Sequence, residues 1–150
     1  LLKIYFQVVR SIQPSILPSG YEFVYAKEAS DIPPLLSLWK WKAPKYALKV
    51  LTGKRVFFGV TYYGHSVMSG WANIGFCKDF LIGSHDVVIG PVCTNPAYRG
   101  LGLAPAAIRR IINMLFNEGF FRFWIAADAR NVSSLRMIRK AGFDSHTNRL

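Results

Sequence analysis

A chain of 150 residues is one domain's worth, long enough to bury a core and short for two ordinary domains. With 51% hydrophobic and 18% charged residues it is no disordered tract, and no apolar run reaches the ~18 residues a membrane helix needs. Lys and Arg outnumber Asp and Glu by 19 to 8, a net charge of +11 spread along both halves. That excess suits nucleic acid, acidic lipid or a phosphorylated small molecule, or is simply a solvated basic surface. The two cysteines, Cys77 and Cys93, form neither a dense disulfide framework nor a four-ligand zinc site, so no metal is expected and a reduced, cytoplasmic setting is the default. The first residue is Leu1 and not Met, so the sequence reads as a segment or a processed form.

Leu2–Val9 reads as a strand, and the Pro- and Gly-bearing stretch 11–20 as a connector. Tyr21–Ala26 is a second short strand. Ser30 or Asp31 then caps a helix with Pro33 and Pro34 in its first turn, and its apolar face holds Leu35, Leu36, Leu38 and Trp39. Pro44 interrupts, and helical turns run on to about Leu51. Arg55–Tyr63 and Ser66–Phe76 are strands joined at Gly64–His65, a hairpin signal. Asp86–Thr94 is a strand whose Val87, Val88 and Ile89 are continuous enough to be buried on both faces. A long helix from about Gly102 shows Ala104, Ile108, Ile111, Ile112, Leu115 and Phe116 at helical spacing and stops at Gly119. Phe121–Ala127 is the next strand. Asn131 caps a last helix, closed by Gly142, and a final strand begins at Phe143. The order predicts a single α/β (α+β) domain over 1–150, a mixed, largely antiparallel sheet with helices on both faces.

The stretch Pro91–Pro105 carries the chemistry. A buried strand runs into Asn95–Pro96, then a loop with Gly100 and Gly102, then an amphipathic helix. Glycines allow successive backbone N–H groups to point the same way, and the helix start adds its positive dipole end. With Arg99 beside them, these elements describe a pyrophosphate cradle. The loop is no Walker phosphate loop, since no Gly-Lys-Ser/Thr follows. It also lacks the third Gly and the downstream acidic residue of a dinucleotide fingerprint.

Arg99, Gly102 and Ala104 match Arg/Gln-x-x-Gly-x-Gly/Ala, preceded by Pro96-Ala97-Tyr98, and Asn131–Phe143 reads NVSSLRMIRKAGF about thirty residues on. This pair of motifs resembles the GNAT superfamily of acyl-CoA-dependent N-acetyltransferases. The close likeness covers Val88–Phe143, and the coarse element order extends it from about Tyr21. The resemblance implies transfer of an acetyl group from acetyl-CoA to a primary amine, directly, in a ternary complex. Arg99, Gly100, Leu101, Gly102, Leu103 and Ala104 would hold the pyrophosphate of coenzyme A. Val92, Cys93 and Thr94 would form the splayed strand edge that pairs with the pantetheine arm, an N–H near Val92 or Cys93 polarising the thioester carbonyl. Asn131 would help to bind the cofactor arm, in addition to capping its helix.

The sequence departs from the family at three places. The Tyr that many members carry seven residues after the Asn is Ile138 here, so Ser133, Ser134 or Cys93 would have to protonate the thiolate, with Ser134 as the first choice. The cofactor strand has no Glu; His85 and Asp86 at its beginning are the candidate bases, with His65 in the hairpin turn as another. The family normally ends in a two-strand hairpin, and only one strand's length follows Phe143, so that hairpin is short or missing, or Leu2–Val9 covers its place.

In this fold the acceptor enters beside the first two helices, where Trp41 and Tyr46 stand among lysines and suit stacking on a sugar or nucleotide. With only eight carboxylates in the chain, a neutral or anionic acceptor is favoured over a polycation. A monomer or homodimer is expected. Two other readings stand beside this one: a GNAT-like module that binds coenzyme A without catalysis and, ranked last for want of any recognition motif, a basic nucleic-acid-binding domain.

Overall fold

The computed structural model describes residues 1–149, with side chains through residue 144. The strands are β1 (Leu2–Val8), β2 (Tyr21–Ala26), β3 (Arg55–Tyr62), β4 (His65–Ile74), β5 (Val87–Thr94), β6 (Arg122–Asp128) and β7 (Ser145–Arg149). The α-helices are α1 (Leu36–Trp39), α2 (Ala43–Leu51), α3 (Leu103–Asn117) and α4 (Val132–Lys140), with single 3₁₀ turns at Ala29–Asp31, Pro33–Leu35, Lys40–Lys42 and Pro96–Tyr98. One seven-stranded sheet has the order β2-β3-β4-β5-β6-β1-β7. The pairings are antiparallel except β5 with β6, which run parallel. The expected mixed, largely antiparallel sheet is therefore present.

Alternation along the central strands puts helices on both faces. Val56, Phe58 and Val60 on β3 and Met68 and Ala72 on β4 join the core under α3 and α4, while Phe57 and Trp71 join a second core with Trp39 and Val50 under α1 and α2. Helix α3 buries Leu103, Ile108, Ile111, Ile112 and Leu115. At about 1.5–3 kcal/mol for each fully buried large aliphatic chain, this face is the principal anchor of the layer. A third cluster, Ile4, Phe80 and Val88, lies under the 75–86 loop.

The strand expected at the start of the chain is present as β1, and it lies inside the sheet. It pairs with β6 from Leu2↔Asp128 to Val8↔Arg122, and with β7 from Leu2↔Arg149 to Phe6↔Ser145. The first strand thus separates β6 from the last. Ile4 and Tyr5 are buried accordingly.

Two irregularities open the sheet. β5 and β6 pair only at Val87–Ile89 with Phe123–Ile125, and then part. Just there the β4–β5 register shifts, with Ala72 opposite Ile89 but Gly70 opposite Val92, so Trp71 faces both Gly90 and Pro91. This is a β-bulge, and Pro91 fits it because it has no N–H to give to a ladder. Beyond it, β5 continues to Thr94 with its outer edge free of β6.

Candidate functional site

The parted edge of β5, the loop after it, the start of α3 and one face of α4 enclose a cleft of about 600 Å³. Val92, Cys93, Thr94, Arg99, Gly100, Gly102, Leu103, Ala104, Asn131 and Ser134 line it, so nearly all of the residues expected to hold a cofactor are brought together. Leu101 does not line it; it is turned out between the two glycines and is 48% exposed.

Strand geometry fixes which backbone groups face this cleft. Asn95 donates its N–H to the Val67 carbonyl across β4 at 2.9 Å. By the two-residue alternation of an antiparallel ladder, the N–H of Cys93 also faces β4, while those of Val92 and Thr94 face the open edge. The side chain of Cys93 lies opposite Ser69.

The loop is held in shape before it reaches the helix. Asn95 Oδ1 accepts the N–H of Ala97 at 3.0 Å. The ring of Tyr98 packs 6.3 Å from Tyr21 and 6.1 Å from Tyr62. Burial among these rings, then the charges of Tyr62 and Tyr98, holds the Tyr21 hydroxyl above the ordinary tyrosine range. Gly100 and Gly102 then adopt φ of +80° and +75°, the left-handed region where a side chain costs about 1–2 kcal/mol. A Cβ at either would meet nothing within 4 Å, so it is backbone geometry, not crowding, that selects glycine here. Gly102 caps α3 and its carbonyl accepts from Ala106 N. The N–H groups of Leu103 and Ala104 consequently have no carbonyl one turn back, and Pro105 contributes none. These donors, with the helix dipole behind them, face a cleft that also holds Arg99, Arg136 and Lys140 and no carboxylate. Among the described residues none of these three cations forms an ion pair. The site therefore suits a large anion with an extended arm, and the fit to coenzyme A is good.

Helix α4 supplies the opposite wall. Asn131 Oδ1 accepts the N–H of Ser134 at 3.1 Å, a side-chain N-cap. The turn before it is fixed by Asp128, whose carboxylate accepts from Arg130 N at 2.8 Å and Nε at 3.1 Å. Those donors hold the Asp128 pKa down at about 2. Ser133, Arg136, Met137 and Lys140 also line the cleft. From the sequence, Arg122, Arg130 and Arg136 read as solvated or, for one of them, as a partner for the adenosine phosphate, and Met137 and Lys140 carry no such expectation. The signal is their spacing of three, four and seven residues from Ser133, which puts them on one helix face. Ile138 is 1% exposed and belongs to the core, so it offers nothing to the cleft.

His85 and Asp86 lie at the other end of β5. Asp86 is buried, and its carboxylate accepts from Gly83 N at 3.1 Å, Trp124 Nε1 at 3.0 Å and Arg122 Nε at 3.1 Å. His85 is exposed, stacked 4.3 Å from Phe120, with Nε2 3.3 Å from the Gly119 carbonyl. The structure does not bring either to the cleft.

A second cleft of about 580 Å³ opens on the other face of the sheet, between α1, α2 and the β3–β4 hairpin. Trp41 and Tyr46 line it, as do Trp39, Lys40, Lys42, His65 and Ser69. Ser69 lines this cleft and Cys93, its cross-strand partner, lines the first. Ser69 and Cys93 are directly opposed on adjacent strands, so a wall of each cleft comes within one strand spacing of the other at this pair. Ser69 drew no attention in the sequence, because the bulges that bring it opposite Cys93 have no local signature.

Comparison with known proteins follows the same lines. A model of the acetyltransferase (GNAT) family matches residues 21–143. No curated protein matches the chain by sequence. Among solved structures, the fold is similar to that of AAC(6')-Iy in complex with a bisubstrate analogue, CoA-S-monomethyl-acetylneamine (TM-score 0.69, 15% identity, 88% of this chain and 96% of that one). It is also similar to the aminoglycoside antibiotic 6'-N-acetyltransferase AAC(6')-Ih from Acinetobacter baumannii (TM-score 0.65, 16% identity, 87% of this chain and 95% of that one). A GCN5-related N-acetyltransferase-like protein from Streptococcus suis has a TM-score of 0.58 at 16% identity, over 97% of this chain and 60% of that one. Among the described residues no helix is long and apolar enough to cross a membrane.

Proposed function

Since the chain belongs to the acetyltransferase (GNAT) family, we propose that its first cleft binds acetyl-CoA and that the second presents the primary amine of a small, neutral or anionic acceptor. The protein is an acyltransferase that draws on acetyl-CoA. The observation that carries the reading is the cross-strand Ser69–Cys93 pair, one partner lining each cleft, beside the N–H of Val92 on the open edge of β5.

Bound acetyl-CoA supplies an activated thioester, so the protein's own work is positioning and charge stabilisation. The N–H groups of Leu103 and Ala104, with Arg99, hold the pyrophosphate. Arg136 and Lys140 flank the remaining phosphate. The edge of β5 aligns the arm as an added strand, and Val92 N–H donates to the carbonyl oxygen as negative charge develops there. Ser134 lines the first cleft from the start of α4, and its hydroxyl donates to the departing thiolate. The amine proton leaves through the mouth of the second cleft to water, with His65 on its wall. His85 and Asp86 take no part. The neighbours described as aminoglycoside acetyltransferases support a small-molecule amine as acceptor. A reduced, cytoplasmic setting agrees with the two free cysteines.

Calorimetric titration with acetyl-CoA tests the cofactor site. Micromolar binding is expected, reduced about tenfold or more in Arg99→Glu and lost in the Arg99→Glu, Gly102→Trp double variant, with circular dichroism confirming the fold. No binding by the folded wild-type protein would overturn the reading. Binding without turnover on any amine would favour the non-catalytic module.

A further inference from the structure

Resting on the second cleft as the acceptor site, we infer that the acceptor is an amine bearing its own anionic group, a phosphate or carboxylate, held by Lys40 and Lys42 with Trp41 covering the body of the molecule. This goes beyond a neutral-or-anionic amine to a requirement for negative charge.

The sign of the cleft is one-sided. No Asp or Glu occurs between Asp31 and Asp79, an interval that holds seven Lys and Arg residues. Those nearest the cleft rest on rings, not carboxylates. Lys42 Nζ lies 5.5 Å from the Trp41 ring and 5.9 Å from Tyr46; Lys49 lies 5.6 Å from Tyr46 and 5.2 Å from Trp71; Arg55 lies 5.4 Å from Trp71. Aromatic faces accommodate these cations without neutralising them. Their mutual repulsion persists. Lys49 is held below the usual lysine range, first by burial and then by Arg55 and Lys45. A polycationic acceptor entering here would meet only like charge, whereas an anion relieves it.

Three local features point to a ligand. Lys40 has φ +55° and ψ −125°, a conformation that side chains rarely adopt, at the junction of α1 and the following turn. The strain turns the chain so that two lysines flank Trp41 on the cleft wall. Trp41 is 82% exposed, a large ring with no core to fill. The Trp39 indole N–H, on the same wall, is buried without a hydrogen-bond acceptor. Buried donors are nearly always satisfied, so this one lacks an oxygen. Cations, a stacking face and an orphan donor, with no carboxylate among them, recognise an oxyanion. Ser69 lines the same cleft and is the cross-strand partner of Cys93 in the first, so the amine of the same molecule would have a short path to the thioester.

The test compares short amines that differ in charge, with the full chain and acetyl-CoA: ethanolamine, O-phosphoethanolamine, β-alanine and spermidine. O-Phosphoethanolamine, β-alanine or both should show kcat/KM about tenfold or more above ethanolamine, and their ratio says which oxyanion the cleft takes. Lys40→Ala and Lys42→Ala should each cut that advantage several-fold through KM. Lys78→Ala, outside the cleft, should leave it intact. Equal or better use of ethanolamine or spermidine overturns the inference. If acetyl-CoA binds and no amine turns over, the catalytic reading fails separately. The indole N–H resonance of Trp41 then decides: a shift with O-phosphoethanolamine or β-alanine but not ethanolamine, lost in Lys42→Ala, upholds the anion site, and no shift overturns it.

Discussion

A buried carboxylate that accepts from three donors is committed to holding its neighbours in place, and Asp86 is in that position. Its partners are a backbone N–H at Gly83, the Trp124 indole and the Arg122 guanidinium, which together tie the 83–86 turn to β6. Asp86→Asn would replace a charged acceptor with an amide and leave one donor poorly matched. We expect a loss of about 1–3 kcal/mol in stability, discounted for the half-exposed Arg122, with acetyl-CoA affinity unchanged within about twofold. Thermal melting and calorimetry measure the two separately. Lost affinity at an unchanged Tm would return Asp86 to the chemistry. The sequence led to His85 and Asp86 because they begin the strand that ends in the cofactor edge. At about 3.3 Å per residue, six residues of strand put them about 20 Å from Val92.

Among the elements, the ones that carry backbone function were the most legible. The Gly100–Gly102 loop, the start of α3 and the Asn131 cap were readable because left-handed turns, helix starts and caps each demand particular residue types locally. Ser69, Lys40 and the bulge opposite Trp71 were not readable, because cross-strand register and a strained turn are decided by tertiary packing. Asn131 caps its helix and also lines the first cleft. Asn131→Ala should cost about 1 kcal/mol through the lost cap and also weaken acetyl-CoA binding. Asn131→Ser keeps a capping oxygen for the Ser134 N–H, so it should restore the Tm and not the affinity if the amide holds the cofactor arm. Recovery of both in the serine variant would leave the residue a cap alone.

For the whole molecule, five of the 19 Lys and Arg residues line two clefts that have no carboxylate in their walls. Coarse strand and helix order was evident from periodicity. The place of β1 was not, since pairing with β6 and β7 lies more than a hundred residues away in sequence. That placement makes residues 2 and 149 neighbours: they lie directly across from each other, about 5 Å apart as antiparallel partners are. The order of the strands in the sequence is consequently separable from their arrangement in the sheet. A permuted gene that joins residue 149 to residue 2 by a tight turn and opens the chain within 11–20 would make β7 and β1 a local hairpin. It should retain acetyl-CoA affinity and, with its longest-range pairing converted to a short loop, refold faster than the parent in stopped-flow measurements.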